Sequence, residues 1–420
     1  MKKVLKTILA FLCIGAAAFA GGASEEAAKK PVTLNLLFYS PELSDQYKDM
    51  VAAYKTETGV TLDITVLQAD YRSVLTSKIN SGDIPDVFMS SAYADNSTYK
   101  DYVYDLSNED FIKKISPSAL QGVTVGGKII GYPFLVQSHS FIYNKKIFAD
   151  LGISELPKTL PEFEAVAKKI EAAGIQPFAT GFKEFWVLPQ TAWQALAPVV
   201  VQNYGGYEKF VAALNAGTLK FKDIPEMSAV FDLLDLIKKY GGPKPNESNF
   251  NDQTSSIATG KVAIIHQGNW AEGTILKTNP DAQIGFLVGP VGANAKLGGI
   301  MFDSNQTIRV AKDSKNLKAA LDWLRWLTTS EYGKNWIPGK IKQMSPIAGA
   351  SAPQSQIAEA TVAMLNGGTS GYPWFYQMFP TGTEQQLGAI LQGYCAGQTD
   401  RAATLDAMDA AYAKIAKAAK

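Results

Sequence analysis

Between Val32 and Met89 the apolar period switches from strand-like to helix-like and back, twice over. Val32, Leu34, Leu36 and Phe38 alternate with Thr33, Asn35 and Leu37, as in a strand with one buried face. Ser44 is then placed to cap a helix in which Tyr47, Met50, Val51 and Tyr54 repeat at helical spacing and which Gly59 ends. Val60, Leu62, Ile64 and Val66 alternate again, a helix is expected over Tyr71 to Asn80, and the turn Ser81–Asp86 leads into the short apolar strand Val87–Met89. Strands joined by helices must run parallel, and a parallel sheet needs helices on its faces. The fold class expected is therefore α/β.

The remainder is richer in helix. Pro161–Ala173, Met227–Tyr240, Leu317–Thr328, Thr383–Gln392 and the stretch from Ala402 onward carry helical spacing. Lys261–His266 reads as a buried strand, and Ile300–Val310 as extended chain. About 400 residues exceed what one hydrophobic core holds, so two domains are expected.

The first twenty residues read as a secretion signal. Lys2, Lys3 and Lys6 form a positive start, Val4–Phe19 is apolar, and Ala18-Phe19-Ala20 supplies a small-x-small cleavage pattern. Residues 21–30 read as a flexible leader. Lipid attachment at Cys13 is not expected, because Leu12 puts bulk where a lipoprotein signal needs a small residue. Cys395 is then the one cysteine of the mature chain, and an intrachain disulfide is impossible.

Charge and motif content narrow the function. The three signal lysines belong to 40 basic residues set against 39 acidic ones, with no basic block to suggest nucleic acid. Two histidines, His139 and His266, leave histidine-based catalysis short of parts. G-x-S-x-G, H-E-x-x-H, P-loop and post-strand G-x-G-x-x-G patterns are missing. No cofactor and no metal site is expected, and no acidic pair stands out as a glycosidase would require.

Several short segments, in order, carry a resemblance. They are Ser81-Gly82-Asp83-Ile84-Pro85-Asp86-Val87, Gly127-Lys128-Ile129-Ile130-Gly131-Tyr132-Pro133, Phe141-Ile142-Tyr143-Asn144-Lys145, Pro157-Lys158-Thr159-Leu160-Pro161-Glu162-Phe163, and Gly260-Lys261-Val262-Ala263-Ile264 with Gly268-Asn269-Trp270. Together they resemble the family 1 extracellular solute-binding proteins of ABC importers. Leu160 and Ile264 depart from the pattern, standing where the family often has Trp and Met. The resemblance implies two α/β lobes of the periplasmic-binding-protein fold, residues 31–141 with 303–343 and residues 142–302 with 344–420. The chain would cross between them near Ser138–Ile142, Ile300–Ser304 and Met344. It further implies a monomeric, non-enzymatic receptor in the periplasm that delivers a sugar to membrane permease subunits.

A sugar offers hydroxyl edges and flat C–H faces, which call for hydrogen-bonding side chains and aromatic plates. Ligand-binding candidates are Tyr39 and Glu42 at the end of the first strand, Ser90 and Ser91 at the end of the third, and His139 and Asp303 at the crossings. The aromatic candidates are Trp186, Trp270, Trp374 and Tyr376. Each has a plainer alternative: core packing for the aromatics, a solvated loop charge for Glu42, a hinge turn for Asp303 and a structural role for His139. Trp323 and Trp326 read as packing residues, and His266 as structural. A polyamine or other small cation held by Glu42 and Asp303 is the competing ligand. A secreted carbohydrate-active enzyme is the third reading.

Overall fold

The computed structural model describes residues 32–419 except Gln68, Ala69 and Asn305. The expectations for residues 1–30, Cys13 included, lie outside the described residues.

Two sheets organise the chain. The first contains β1 (Thr33–Phe38), β2 (Thr61–Val66), β3 (Val87–Ser91), β6 (Tyr132–Pro133) and β12 (Gln306–Val310), in the order β2-β1-β3-β12-β6. β1 pairs in parallel with β2 and β3, while β12 enters antiparallel to β3. Helices α1 (Ser44–Thr58) and α2 (Tyr71–Ser81) are the crossovers, so the opening alternation is the first lobe as expected. Gly59 ends α1 with φ 74, a backbone setting that suits glycine. Ser44 does not cap α1: its hydroxyl turns back to the Pro41 carbonyl, and Leu43 occupies the cap position.

The Pro85-Asp86-Val87 turn has a physical reason. Asp86 Oδ2 accepts from the Asn35 amide at 2.9 Å and from Asn316 Nδ2 at 3.2 Å, and Oδ1 accepts from Ser314 Oγ. One buried carboxylate thus fixes the start of β3 against β1 and against the chain that returns some 230 residues later. That return brings the helix Leu317–Thr329, whose Trp323 and Trp326 pack in the core with Phe38, Tyr54 and Trp336, as expected of them.

The second sheet runs β13 (Ser370–Tyr372), β11 (Gly299–Asp303), β7 (Gln137–Asn144), β9 (Val262–Gly268), β8 (Gln176–Ala179), with β10 (Ile284–Leu287) also on β7. The hairpin β4 (Thr124–Val125) and β5 (Lys128–Ile129) stands apart. β7 is the hub, antiparallel to β9, β10 and β11. The helix Val187–Asn203 is buried from Val187 to Val200 and forms the centre of the second lobe's core.

The crossings are set by sheet membership. β7 already belongs to the second sheet at Gln137, so the chain changes lobe at Leu135–Val136, ahead of the Ser138–Ile142 stretch that the sequence pointed to. Ile300–Val310 is two strands in different sheets, with the change at Ser304. Met344 pairs with Val136 at the third passage, and Ile347 still packs on the first lobe. No helix among the described residues is long and apolar enough to cross a membrane.

Candidate functional site: the interlobe cleft

The lobes meet where Tyr93, in the loop after β3, reaches Asp303 at the end of β11, and where Thr98 meets Thr381. From the first lobe, Tyr39 is half-buried and its hydroxyl donates to the Ser90 carbonyl at 3.1 Å. Glu42 lies on the short turn Pro41–Leu43 with its side chain exposed; the surrounding protein displaces enough water to raise its carboxyl above the usual range.

Ser90 is used internally through its hydroxyl, and Ser91 through its backbone. Arg309, fully buried in β12, donates Nε to Ser90 Oγ, Nη1 to the Ile130 carbonyl at 2.8 Å, and Nη2 to the Ser91 carbonyl and Asn96 Oδ1. Asp95, also buried, accepts from the Ser91 amide and from Arg72 Nη1, both at 2.9 Å. Burial pushes the Arg309 guanidinium down to about 10, with Asp95 opposing that fall. This network makes the floor of the first lobe rigid and leaves Ser90 no free hydroxyl.

The second lobe presents an aromatic cluster. Gly268 is the reason Trp270 can fold back over β9: a Cβ there would sit 2.1 Å from the indole Cζ3 and 2.5 Å from the Ser138 carbonyl. Trp270 is half-buried and its Nε1 donates to Gln267 Oε1 at 3.0 Å, while Gln267 donates to Gln253 at 2.7 Å. Beneath it, His139 stacks with ring centroids 5.6 Å apart and planes 4° from parallel. Trp374 lies 6.1 Å from Trp270, and Trp186, half-buried, meets its edge at 6.5 Å.

His139 is fully buried with both ring nitrogens unpartnered, and burial drives its pKa down to about 3. It supports Trp270 from below. His266 holds Thr191 Oγ1 at 2.8 Å and Gln194 Oε1, a structural arrangement as expected. Trp374 and Tyr376 are buried, as are their neighbours Phe375 and Phe379. Trp193 is entirely core.

Asp303 closes the floor. Its Oδ2 accepts from the Tyr93 hydroxyl at 2.7 Å, Oδ1 from the Ser304 amide at 2.7 Å, and the carboxylate also takes the Trp374 N–H. Burial nevertheless raises its pKa to about 6. Tyr93 reaches it from a backbone at φ 57, ψ −85, a setting rarely held by a non-glycine residue.

Of the predicted residues, Trp186 and Asp303 stand by the Trp270–Trp374 cluster of the second lobe, while Tyr39 and Glu42 stand after β1 in the first. Ser90, His139, Trp374 and Tyr376 are buried, and Ser91 is half-buried with its backbone amide and carbonyl taken by Asp95 and Arg309. Sequence reasoning missed Arg72, Tyr93, Asp95, Gln267, Asn269, Arg309 and Glu384. Arg309 carried a signal, as a charge inside the apolar run Thr307–Val310. Asn269 carried another, between Gly268 and Trp270: buried, its Oδ1 accepts the Ser138 amide at 3.1 Å and ties the turn after β9 to β7. Among the described residues, no three His, Cys, Asp or Glu side chains gather as a metal ion would require.

Two α/β lobes joined by three passages of chain, with an aromatic and hydrogen-bonding cleft between them, define a solute-binding protein. The family model for the bacterial extracellular solute-binding protein matches residues 40–334, and the chain belongs to that family. It is 22% identical over 307 residues, 71% of either chain, to the multiple sugar-binding protein of Streptococcus mutans. It is 26% identical over 329 residues to the diacetylchitobiose binding protein DasA of Streptomyces coelicolor, covering 74% of this chain and 73% of that one. Among solved structures, the SBP RafE in complex with raffinose superposes with a TM-score of 0.79 at 20% identity, over 92% of this chain and 100% of that one. A sugar transporter from Bacillus licheniformis in complex with stachyose gives 0.77 at 20% identity, over 91% and 100%.

Proposed function

We propose that this chain is the extracytoplasmic receptor of an ABC importer and that it holds a sugar or oligosaccharide in the interlobe cleft, delivering it to permease subunits without chemical change. The observation that carries the reading is Trp270. It is an indole face braced from below by His139 and flanked by Trp186 and Trp374, with the Asp303 carboxylate beside Trp374. The flat face suits the C–H side of a pyranose, and the nearby carboxylate of Asp303 suits its hydroxyls, where a mismatched buried group costs about 1–3 kcal/mol. The names of the relatives point the same way, since the proteins reported above bind or were solved with sugars.

In this reading the lobes are 32–136 with 306–350, and 137–303 with 351–419, and they close by hinge motion at the passages near Val136, Ser304 and after Ala350. Ligand favours the closed form, which the permease then recognises. Export places the receptor outside the cytoplasmic membrane, as a monomer. Calorimetry across mono-, di- and oligosaccharides tests the assignment; binding confined to another class of solute would remove it.

A cationic ligand is the second reading, favoured by one observation: the carboxyls of Glu42, Asp303 and Glu384 are all raised by loss of water, and among the described residues none of them is in a salt bridge. An amine would give binding that weakens steeply with salt, whereas a neutral sugar would not.

A further inference from the structure

Glu272 is a buried carboxylate that has no part in the aromatic cluster described above. It stands two residues after Trp270, in the first turn of the helix Ala271–Thr278, for which Trp270 is the N-cap. Both of its oxygens are spent on the start of another helix, Gln356–Asn366. Oε1 accepts the Gln356 amide at 2.7 Å, and Oε2 accepts the Ile357 amide at 3.0 Å and the Ser355 hydroxyl. Ser355 Oγ in turn accepts the Ala358 amide at 3.1 Å. The first amides of a helix have no partner within it, and here a carboxylate from a distant element answers them with charge-assisted bonds.

The place of these bonds in the fold gives them a consequence. Ser355 ends the third passage of chain between the lobes: Ala350 still packs on the first lobe, while Gln356 accepts the Ile284 amide of β10 at 2.9 Å and Ile357 is core of the second. The other side of the Trp270 turn is held where the first passage ends. The Asn269 amide donates to the Ser138 carbonyl at 2.9 Å, Asn269 Oδ1 accepts the Ser138 amide, and the Ser138 hydroxyl lies 2.8 Å from Thr361 Oγ1 on the helix Gln356–Asn366. Trp270 is therefore carried on a turn gripped at both ends by chain that has just entered the second lobe. Without Glu272 the Gln356 and Ile357 amides lose their partners, the start of that helix frays, and the passage swings from a point deeper in the lobe. A looser linkage lowers the effective concentration of one lobe over a ligand held by the other.

We propose that Glu272 is a positioning residue of the sugar site: it makes the Trp270 turn and the third interlobe passage one rigid piece, so that seating a ligand on the indole and closing the first lobe over it are coupled. The inference rests on the closing sugar receptor proposed above.

The test is a titration of the mature protein with raffinose, stachyose, maltotriose and N-acetylglucosamine oligomers, read by tryptophan fluorescence for seating and by small-angle X-ray scattering for closure. In Glu272→Gln, whose amide nitrogen cannot accept what the second oxygen accepts, the fluorescence change should remain saturable. Its Kd should rise about five- to tenfold, carried by faster dissociation, and the fall in radius of gyration at saturation should be smaller. Ser355→Ala removes one donor of the same cluster from the passage side and should act in the same direction; combined with Glu272→Gln it should add less than its own effect. If Glu272→Gln fails to fold by circular dichroism, Ser355→Ala alone carries the comparison. A helix cap and nothing more would lower the midpoint of thermal unfolding while leaving Kd and the scattering change as in the unmodified protein, and that result overturns the proposal. If no sugar of the panel binds the unmodified protein, the sugar reading fails and amide hydrogen exchange without ligand decides this one. Faster exchange at Ser138 and Asn269 in Ser355→Ala than in the unmodified protein upholds the tie between platform and passage; equal rates reject it.

Discussion

The Tyr93 hydroxyl donates to Asp303 Oδ2 over 2.7 Å, joining the loop after the first lobe's middle strand to the point where the chain leaves the second sheet. Both partners carry a cost, since Tyr93 holds a strained backbone and Asp303 a half-buried charge. In the closing receptor proposed above, this bond forms when the lobes meet and breaks when they part.

Tyr93→Phe should therefore weaken ligand binding more than it weakens the fold. A hydrogen bond to a partly buried charge contributes about 1–2 kcal/mol here, roughly a five- to thirtyfold rise in Kd. The midpoint of thermal unfolding without ligand should stay within about 2 °C. Unchanged affinity would show that the bond persists when the cleft opens.

Arg309 is the opposite case, a residue of the fold alone. It spends its donors on Ser90, Ser91, Asn96 and Ile130 under the cleft floor. Arg309→Met leaves those acceptors buried and unpaired, and should cost about 3–5 kcal/mol in a denaturant titration. A loss below 1 kcal/mol would mean that the network is not holding the first lobe together.

The acid limb of stability should report His139. Its folded pKa of about 3 lies below the ordinary value of about 6.5, so the unfolded chain binds the extra proton between those limits. Stability from keeping it neutral is present above pH 6.5 and is lost as pH falls toward 3. His139→Leu, of similar volume and without unpartnered nitrogens, should flatten that fall by about 1.4 kcal/mol per pH unit. Parallel curves for the two proteins between pH 4 and 6.5 would contradict it.

How much of this was legible in the sequence depends on whether neighbours in the chain or neighbours in space set the signal. The β1-α1-β2-α2-β3 run was readable because each element carries its own period, and Met227–Tyr240 because Gly241 punctuates it. Trp270 was readable through Gly268, a glycine forced by the fold-back of the indole. Arg72, Asp95 and Glu384 were not: nothing local marks them, and their roles arise only when α2, α3 (Ala94–Tyr99) and the helix Thr383–Cys395 are brought together. Ser90 failed for a related reason, since its hydroxyl is claimed by Arg309, 219 residues away. The change of lobe was placed late because Gln137–Asn144 reads as one extended run, and only pairing with β11 and β9 shows which sheet it joins.

The central claim is that a sugar lies on Trp270 between the lobes, and tryptophan fluorescence tests it most directly. The mature protein would be titrated with raffinose, stachyose, maltotriose and N-acetylglucosamine oligomers, beside Trp270→Phe checked for folding by circular dichroism. A saturable change with one sugar class, and a loss of at least tenfold in affinity for the variant (about 1.4 kcal/mol), is the result expected. A saturable change that survives in Trp270→Phe with unaltered affinity would place the ligand elsewhere, and silence across the panel in the folded protein would contradict the sugar assignment.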